Sequence, residues 1–124
     1  MRIVVEINGN QLDVNFKKIV TFSHKIKSVI ILDSQIIVLL EIPKGIYESD
    51  NIYCVDMSGS FIWQIQNRSF LSEKYAKEPI KGPYVGIHMH KDGVLEAVDY
   101  LGGRYLFNVE NGYVIERNTK GRDW

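Results

Sequence analysis

A chain of 124 residues fits one domain, long enough to bury roughly two-thirds of its unfolded surface without a disulfide or a metal. Its 45% hydrophobic and 24% charged residues exclude a disordered chain. Fifteen basic and fifteen acidic residues cancel, so no electrostatic reason points to nucleic acid or an anionic membrane as partner.

The chain begins MRIVVEINGNQLDV, which has no signal-peptide core. Strands are expected at 2–7 and 11–16 around Asn8-Gly9-Asn10, a hairpin turn because Asn and Gly tolerate positive φ. Period-two spacing puts Ile3, Val5 and Ile7 on one face, and Leu12, Val14 and Phe16 on one face of the partner. Asp13 and Asn15 then point the other way. The runs 26–33 and 35–42 are almost continuously apolar, which implies burial of both faces and central strands. The longest of these, Ile36 to Leu40, is far too short to span a bilayer.

Residues 43–50 are a loop opened by Pro43 and Gly45. NIYCVD and SFIWQIQ form a hairpin around Met57-Ser58-Gly59. Cys54 is the single cysteine and lies in an apolar strand, so it reads as a buried, unreactive thiol. Residues 67–83 read as a connector: Ser72 caps a short helix to about Lys77, and Pro79 stops it. Strands at 84–90, 93–100, 103–109 and 113–118 follow, with turns at Lys91-Asp92-Gly93, Gly102-Gly103 and Asn111-Gly112. Trp124 ends the tail and is placed to dock on the sheet. A single domain, 1–124, thus divides into an N-terminal hairpin and lead-in (1–25), a first unit (26–66), the connector (67–83) and a second unit (84–118).

The two units repeat. Each closes on a hairpin with a Tyr (Tyr53, Tyr105), an apolar pair, a polar residue opening the turn (Asp56, Asn108), a glycine (Gly59, Gly112) and an apolar strand. The segment IYCVDMSGSFIWQI resembles the blade hairpin of quinoprotein-type β-propeller repeats, and the whole chain resembles small uncharacterised bacterial proteins with two such units. The likeness implies two blade-like sheets with Trp63 in the core. Two units cannot close a ring of about four to eight blades, so no quinone-binding residue carries over.

His88-x-His90-x-Asp92 has the spacing of a zinc hydrolase motif, and alternation places both histidines on one strand face with Tyr84. A zinc site needs at least three protein ligands, and His24 is the only other histidine. Asp92 is explained by its turn, so no metal is expected. No Gly-x-Ser-x-Gly elbow and no phosphate loop occur. Glu96 and Asp99 alternate to opposite faces and do not form an acid–base pair. The aromatics offer a better surface: Tyr84, Tyr100, Arg104, Tyr105 and Tyr113 are the residue types that anchor interfaces.

The expectation is an all-β fold of two antiparallel four-strand meanders, blade-like repeats, plus an N-terminal hairpin and a short helical or irregular connector. The expected function is a non-enzymatic protein-interaction module of a bacterial cytosolic protein, with no catalytic residues and no cofactor. A toxin–immunity protein is one special case, and a homodimer is one assembly; nucleic acid and membrane are not expected partners. The competing reading is a small metal-dependent hydrolase using His88 and His90.

Overall fold

A computed structural model describes residues 4–46, 48–67 and 82–117. Eleven strands follow in order: β1 (Val5–Asn8), β2 (Gln11–Val14), β3 (Lys18–Thr21), β4 (Ile26–Ile31), β5 (Gln35–Leu40), β6 (Ile52–Asp56), β7 (Phe61–Gln64), β8 (Tyr84–Lys91), β9 (Val94–Asp99), β10 (Arg104–Asn108) and β11 (Val114–Arg117). They form three antiparallel sheets, ordered β1-β2-β3, β4-β5-β6-β7 and β8-β9-β10-β11. No helix occurs among the described residues, hence none long and apolar enough to cross a membrane. The expected helix at 72–77 and the docking of Trp124 lie outside the described residues.

The all-β class and both four-strand meanders match the expectation. The N-terminal hairpin is corrected to a three-stranded sheet, because Lys18–Thr21 pairs with β2. The turn into that strand uses Asn15 and Phe16 at φ 55° and 58°, a region few non-glycine residues adopt and one that strand alternation does not announce. Phe16 therefore leaves the Leu12–Val14 face and stands 67% exposed. Ile7, opposite Leu12, is also exposed rather than core.

The middle sheet explains the continuous apolar run in β5. Its even residues, Ile36, Val38 and Leu40, pack with Leu12, Val14, Val20 and Phe22 of the N-terminal part. Its odd residues, Ile37 and Leu39, pack with Leu95, Ala97, Tyr105 and Phe107 of the C-terminal sheet. Two hydrophobic cores thus lie on opposite faces of one sheet. The strand at 26–31 is not central as expected: β4 is an edge, and a bulge between Ile26 and Ser28 lets it feed both cores. Ile26 and Val29 join the first core, and Ile30 the second.

The two cores are closed differently. Between the N-terminal and middle sheets the packing is apolar, with Phe22, Tyr53 and Phe61 in mutual edge or tilted geometry, and one backbone hydrogen bond, from the Ile26 N–H to the Gly9 carbonyl at 2.9 Å, joins them. Between the middle and C-terminal sheets, buried polar groups add direction. Asn51 is 1% exposed and donates to the carbonyls of Leu40 (2.8 Å) and Tyr84 (2.9 Å), while its Oδ1 accepts the Tyr84 N–H at 2.9 Å. Farther along, the Val109 carbonyl accepts from Gln35 Nε2 (2.7 Å) and Trp63 Nε1 (2.9 Å). Gly112 lets its loop approach Trp63: a Cβ there would sit 2.6 Å from the indole, and its φ is +73°.

One turn design recurs. Asp56 Oδ1 accepts the N–H groups of Ser58 and Ser60, and Asp99 Oδ1 accepts those of Leu101 and Gly103. Hydrogen bonds from the Ser58 hydroxyl and the Ser60 backbone hold the Asp56 carboxyl below the usual range. Asp99 is thereby engaged in a turn, on the opposite side of its strand's alternation from Glu96.

Cys54 is fully buried in the second core, and burial, with Asp56 nearby, pushes its thiol up to about 12. Below about pH 9 the thiol is neutral in both folded and unfolded chains and adds no pH dependence. Above that, only the unfolded chain releases the proton. This component of stability is expected to fall as pH rises from about 9 to 12, at up to ~1.4 kcal/mol per pH unit. Comparing denaturation of the wild type and Cys54→Ala across that range isolates it, and a thiol reagent is expected to label Cys54 only on unfolding.

Candidate functional site: a polar cluster on the C-terminal sheet

In the C-terminal sheet, Leu95 and Ala97 of β9 point into the second core, so Glu96 between them points to the outer face. Register puts His88 of β8 opposite Glu96, and Arg104 of β10 opposite Val98, one diagonal step away. His88 Nε2 lies 2.7 Å from Glu96 Oε1, and Arg104 Nη1 donates to the same oxygen at 3.0 Å. The Glu96 side chain is only 4% exposed, whereas those of Arg104 and His88 are 38% and 51% exposed. A carboxylate taken from water needs charge-assisted partners, and these two supply them. The result is a buried anion holding two donor-bearing side chains at a fixed place on the surface.

Two bulges in β8 decide what else reaches this face. The register shifts between Tyr84 and Gly86, which reverses the alternation at Val85. Tyr84 therefore does not share the face of the histidines. It is 1% exposed and meets Tyr105 and Phe107 edge-on, with centroids 6.3 Å and 5.8 Å away. A second shift, between Met89 and Lys91, makes His90 the extra residue, without a cross-strand partner. His88 pairs with Glu96, and His90 remains exposed. Among the described residues, no three His, Cys, Asp or Glu side chains converge as a metal-binding group. Asp92 stands exposed in the turn before β9.

Of the expected surface residues, Tyr105 is also corrected: it is 2% exposed, packs in the second core and carries Arg117 over its ring at 5.9 Å. Its alternation with Arg104, which faces outward, required this. Tyr100 is 52% exposed in the Asp99–Gly103 turn, its ring resting on Gly82, where an added Cβ would lie 1.9 Å from it. That turn leads directly into Arg104. Tyr113, 59% exposed, lies beyond the other end of β10, with its carbonyl accepting from the Asn108 N–H. Four strand steps, about 13 Å, separate Asn108 from Arg104, so Tyr113 is apart from the cluster.

Sequence reasoning had Arg104 and His88 but missed Glu96, which joins them. The signal was a lone acid inside the apolar run Val94-Leu95-Glu96-Ala97-Val98. A buried acid needs a partner, but naming it required the register.

A family model described as "Domain of unknown function (DUF7957)" matches residues 2–119. No curated protein matches the chain.

Proposed function

Because the chain belongs to the DUF7957 family, whose description assigns no activity, we propose a function from its own surface: a non-enzymatic protein-interaction module that binds through the outer face of the C-terminal sheet. The observation that carries this reading is the held pair Arg104–His88. Glu96 fixes both side chains, so they lose little freedom on binding, and both remain open to a partner. Arg and Tyr are the residue types that most often dominate interface energetics, and Tyr100 enters the same strand end. The chemistry of the cluster also favours binding over hydrolysis. Glu96 Oε1 is occupied twice, and His88 spends its Nε2 on it.

The finer architectural reading is that the two four-strand meanders are propeller-blade-like units. Their shared strand order and the turns between their third and fourth strands, where Asp56 Oδ1 accepts the Ser58 N–H and Asn108 Oδ1 accepts the Glu110 N–H, support it. A bacterial cytosolic setting, with an immunity partnership as one instance, rests on the sequence resemblance.

The test is affinity capture from the source cell with wild-type and Arg104→Ala bait, both checked for folding by circular dichroism. Arg104→Ala is expected to weaken retention of a specific partner about tenfold or more. Equal retention by both baits sinks the reading. Stoichiometric zinc in the wild type that is lost in His88→Ala favours the competing hydrolase instead.

A further inference from the structure

We propose that the chain forms a twofold dimer through the outer edge of β4, where residues 29–31 pair antiparallel with the same residues of a second copy. The inference goes beyond the preceding reading, because β4 belongs to the middle sheet and leaves the Arg104 face unused.

β4 is an edge of the middle sheet, bonded to β5 on one side only. The Leu32 N–H donates to the Gln35 carbonyl at 2.8 Å, so the polar backbone of Leu32 turns toward β5. These directions alternate along an antiparallel ladder. Ile30, opposite Ile37, therefore bonds inward, and Val29 and Ile31 point their N–H and C=O groups outward. Those outward groups have no partner among the described residues. Edge strands are commonly guarded by charge, bulge or cover. Here the guards sit at the start of the strand: Lys27 lies in the bulge between Ile26 and Ser28, and the Gly9 carbonyl occupies the Ile26 N–H. Residues 29–31 are Val-Ile-Ile, with Ile31 44% exposed. The other edges differ. β1, β3, β8 and β11 carry Glu6, Lys18, Lys91 and Glu116, and just past β7 the Gln66 N–H is bonded to the Gly112 carbonyl.

Self-complementarity selects a second copy as the occupant. With Ile30 opposite Ile30 of the other copy, Val29 and Ile31 of each exchange backbone hydrogen bonds with Ile31 and Val29 of the other. The two Ile30 side chains then meet on one face of the joined sheet. On the other face Val29 of each copy covers the exposed Ile31 of its mate. Charge fixes the direction. Lys25 and Lys27 stand exposed at the start of β4, and Asp33 stands exposed just past its end. Antiparallel pairing sets start against end and joins opposite charges, whereas parallel pairing sets like charges together. A formal net charge of zero adds little long-range repulsion. Because each copy uses the same edge, the contact is isologous and closes at two copies.

Analytical ultracentrifugation and amide hydrogen exchange of the full chain, at rising concentration, test this. The wild type is expected to form a reversible dimer, and exchange at the Val29 and Ile31 amides is expected to slow as it forms. Ile31→Lys is expected to raise the dissociation constant about thirtyfold or more, since the change enters each dimer twice. Lys27→Glu and Asp33→Lys are each expected to weaken the dimer about threefold. Their mixture is expected to recover, because both start-to-end contacts again join opposite charges. A wild-type monomer at high concentration overturns the proposal, as does a dimer that leaves exchange at Val29 and Ile31 unchanged. A dimer lost in Arg104→Ala but kept in Ile31→Lys overturns it too and moves self-association to the C-terminal sheet. A monomer that still captures another protein through Arg104 rejects the β4 dimer and leaves the interaction function standing. If Ile31→Lys fails to fold, exchange in the wild type and the Lys27–Asp33 mixture decide.

Discussion

Asn51→Ala is expected to lower the unfolding free energy by about 3–4 kcal/mol, although the residue lies in no strand. Its amide makes three hydrogen bonds in a site 1% exposed, tying the end of β5 to the start of β8. Truncation leaves the Tyr84 N–H and two carbonyls without that partner, away from water. An orphaned buried group costs ~1–3 kcal/mol, more than the bond itself contributes. Asn51→Asp is a sharper control: it keeps the acceptor, removes both donors and buries a charge. It is expected to be worse than Asn51→Ala near neutral pH and to recover as acid neutralises the new carboxylate. Chemical denaturation at several pH values checks both. A loss below ~1 kcal/mol in either variant contradicts the stapling role.

Phe107→Ala is expected to cost about 3–5 kcal/mol. The ring is fully buried between the middle and C-terminal sheets and meets Tyr84 edge-on at 87°. Leu12→Ala, in the other core, is expected to cost about 2–5 kcal/mol. The two sites lie in cores on opposite faces of the middle sheet and share no partner. Since stacked sheets are ~10 Å apart, their effects are expected to add within ~0.5 kcal/mol in the double variant. Strong coupling contradicts two separate cores. Tyr113→Ala, at an exposed position, is expected to change stability by no more than ~0.5 kcal/mol.

What the sequence made legible follows from local pattern. The alternation and the glycine-bearing turns located ten of the eleven strands. β3 escaped because its turn uses Asn15 and Phe16 in left-handed geometry, which no glycine marks. Continuous apolarity of β5 gave burial on both faces. It did not reveal that one covering layer is the N-terminal sheet, because that requires tertiary stacking. The same pattern misplaced β4, an edge strand that sends the buried Ile26 and the half-buried Val29 to one core and the half-buried Ile30 to the other.

The site was legible in residue types and illegible in facing. Strict alternation grouped Tyr84, His88 and His90. A bulge in β8 moved Tyr84 into the core, while His88 and His90 both stay exposed on either side of the half-buried Met89. A bulge shifts alternation by one residue and carries no dependable sequence mark, although Gly86 stood beside the first one. Tyr105 was drawn to the surface by its aromatic character, yet alternation with Arg104 already assigned it inward. Glu96 looked like an isolated acid until register set it beside both of its partners.

The most direct measurement of the central claim places a photo-reactive residue at the His88 position and, in a second variant, at Phe16 on the N-terminal sheet, in the source cell. Both sites are exposed, and they belong to opposite ends of the stack. The expected result is a discrete crosslinked species from the His88 position that is weakened by Arg104→Ala, with no corresponding species from the Phe16 position. Its mass distinguishes a second copy from another protein. Equal crosslinking from both positions, or none from the His88 position in a folded variant, contradicts a binding role for the Arg104–Glu96–His88 face.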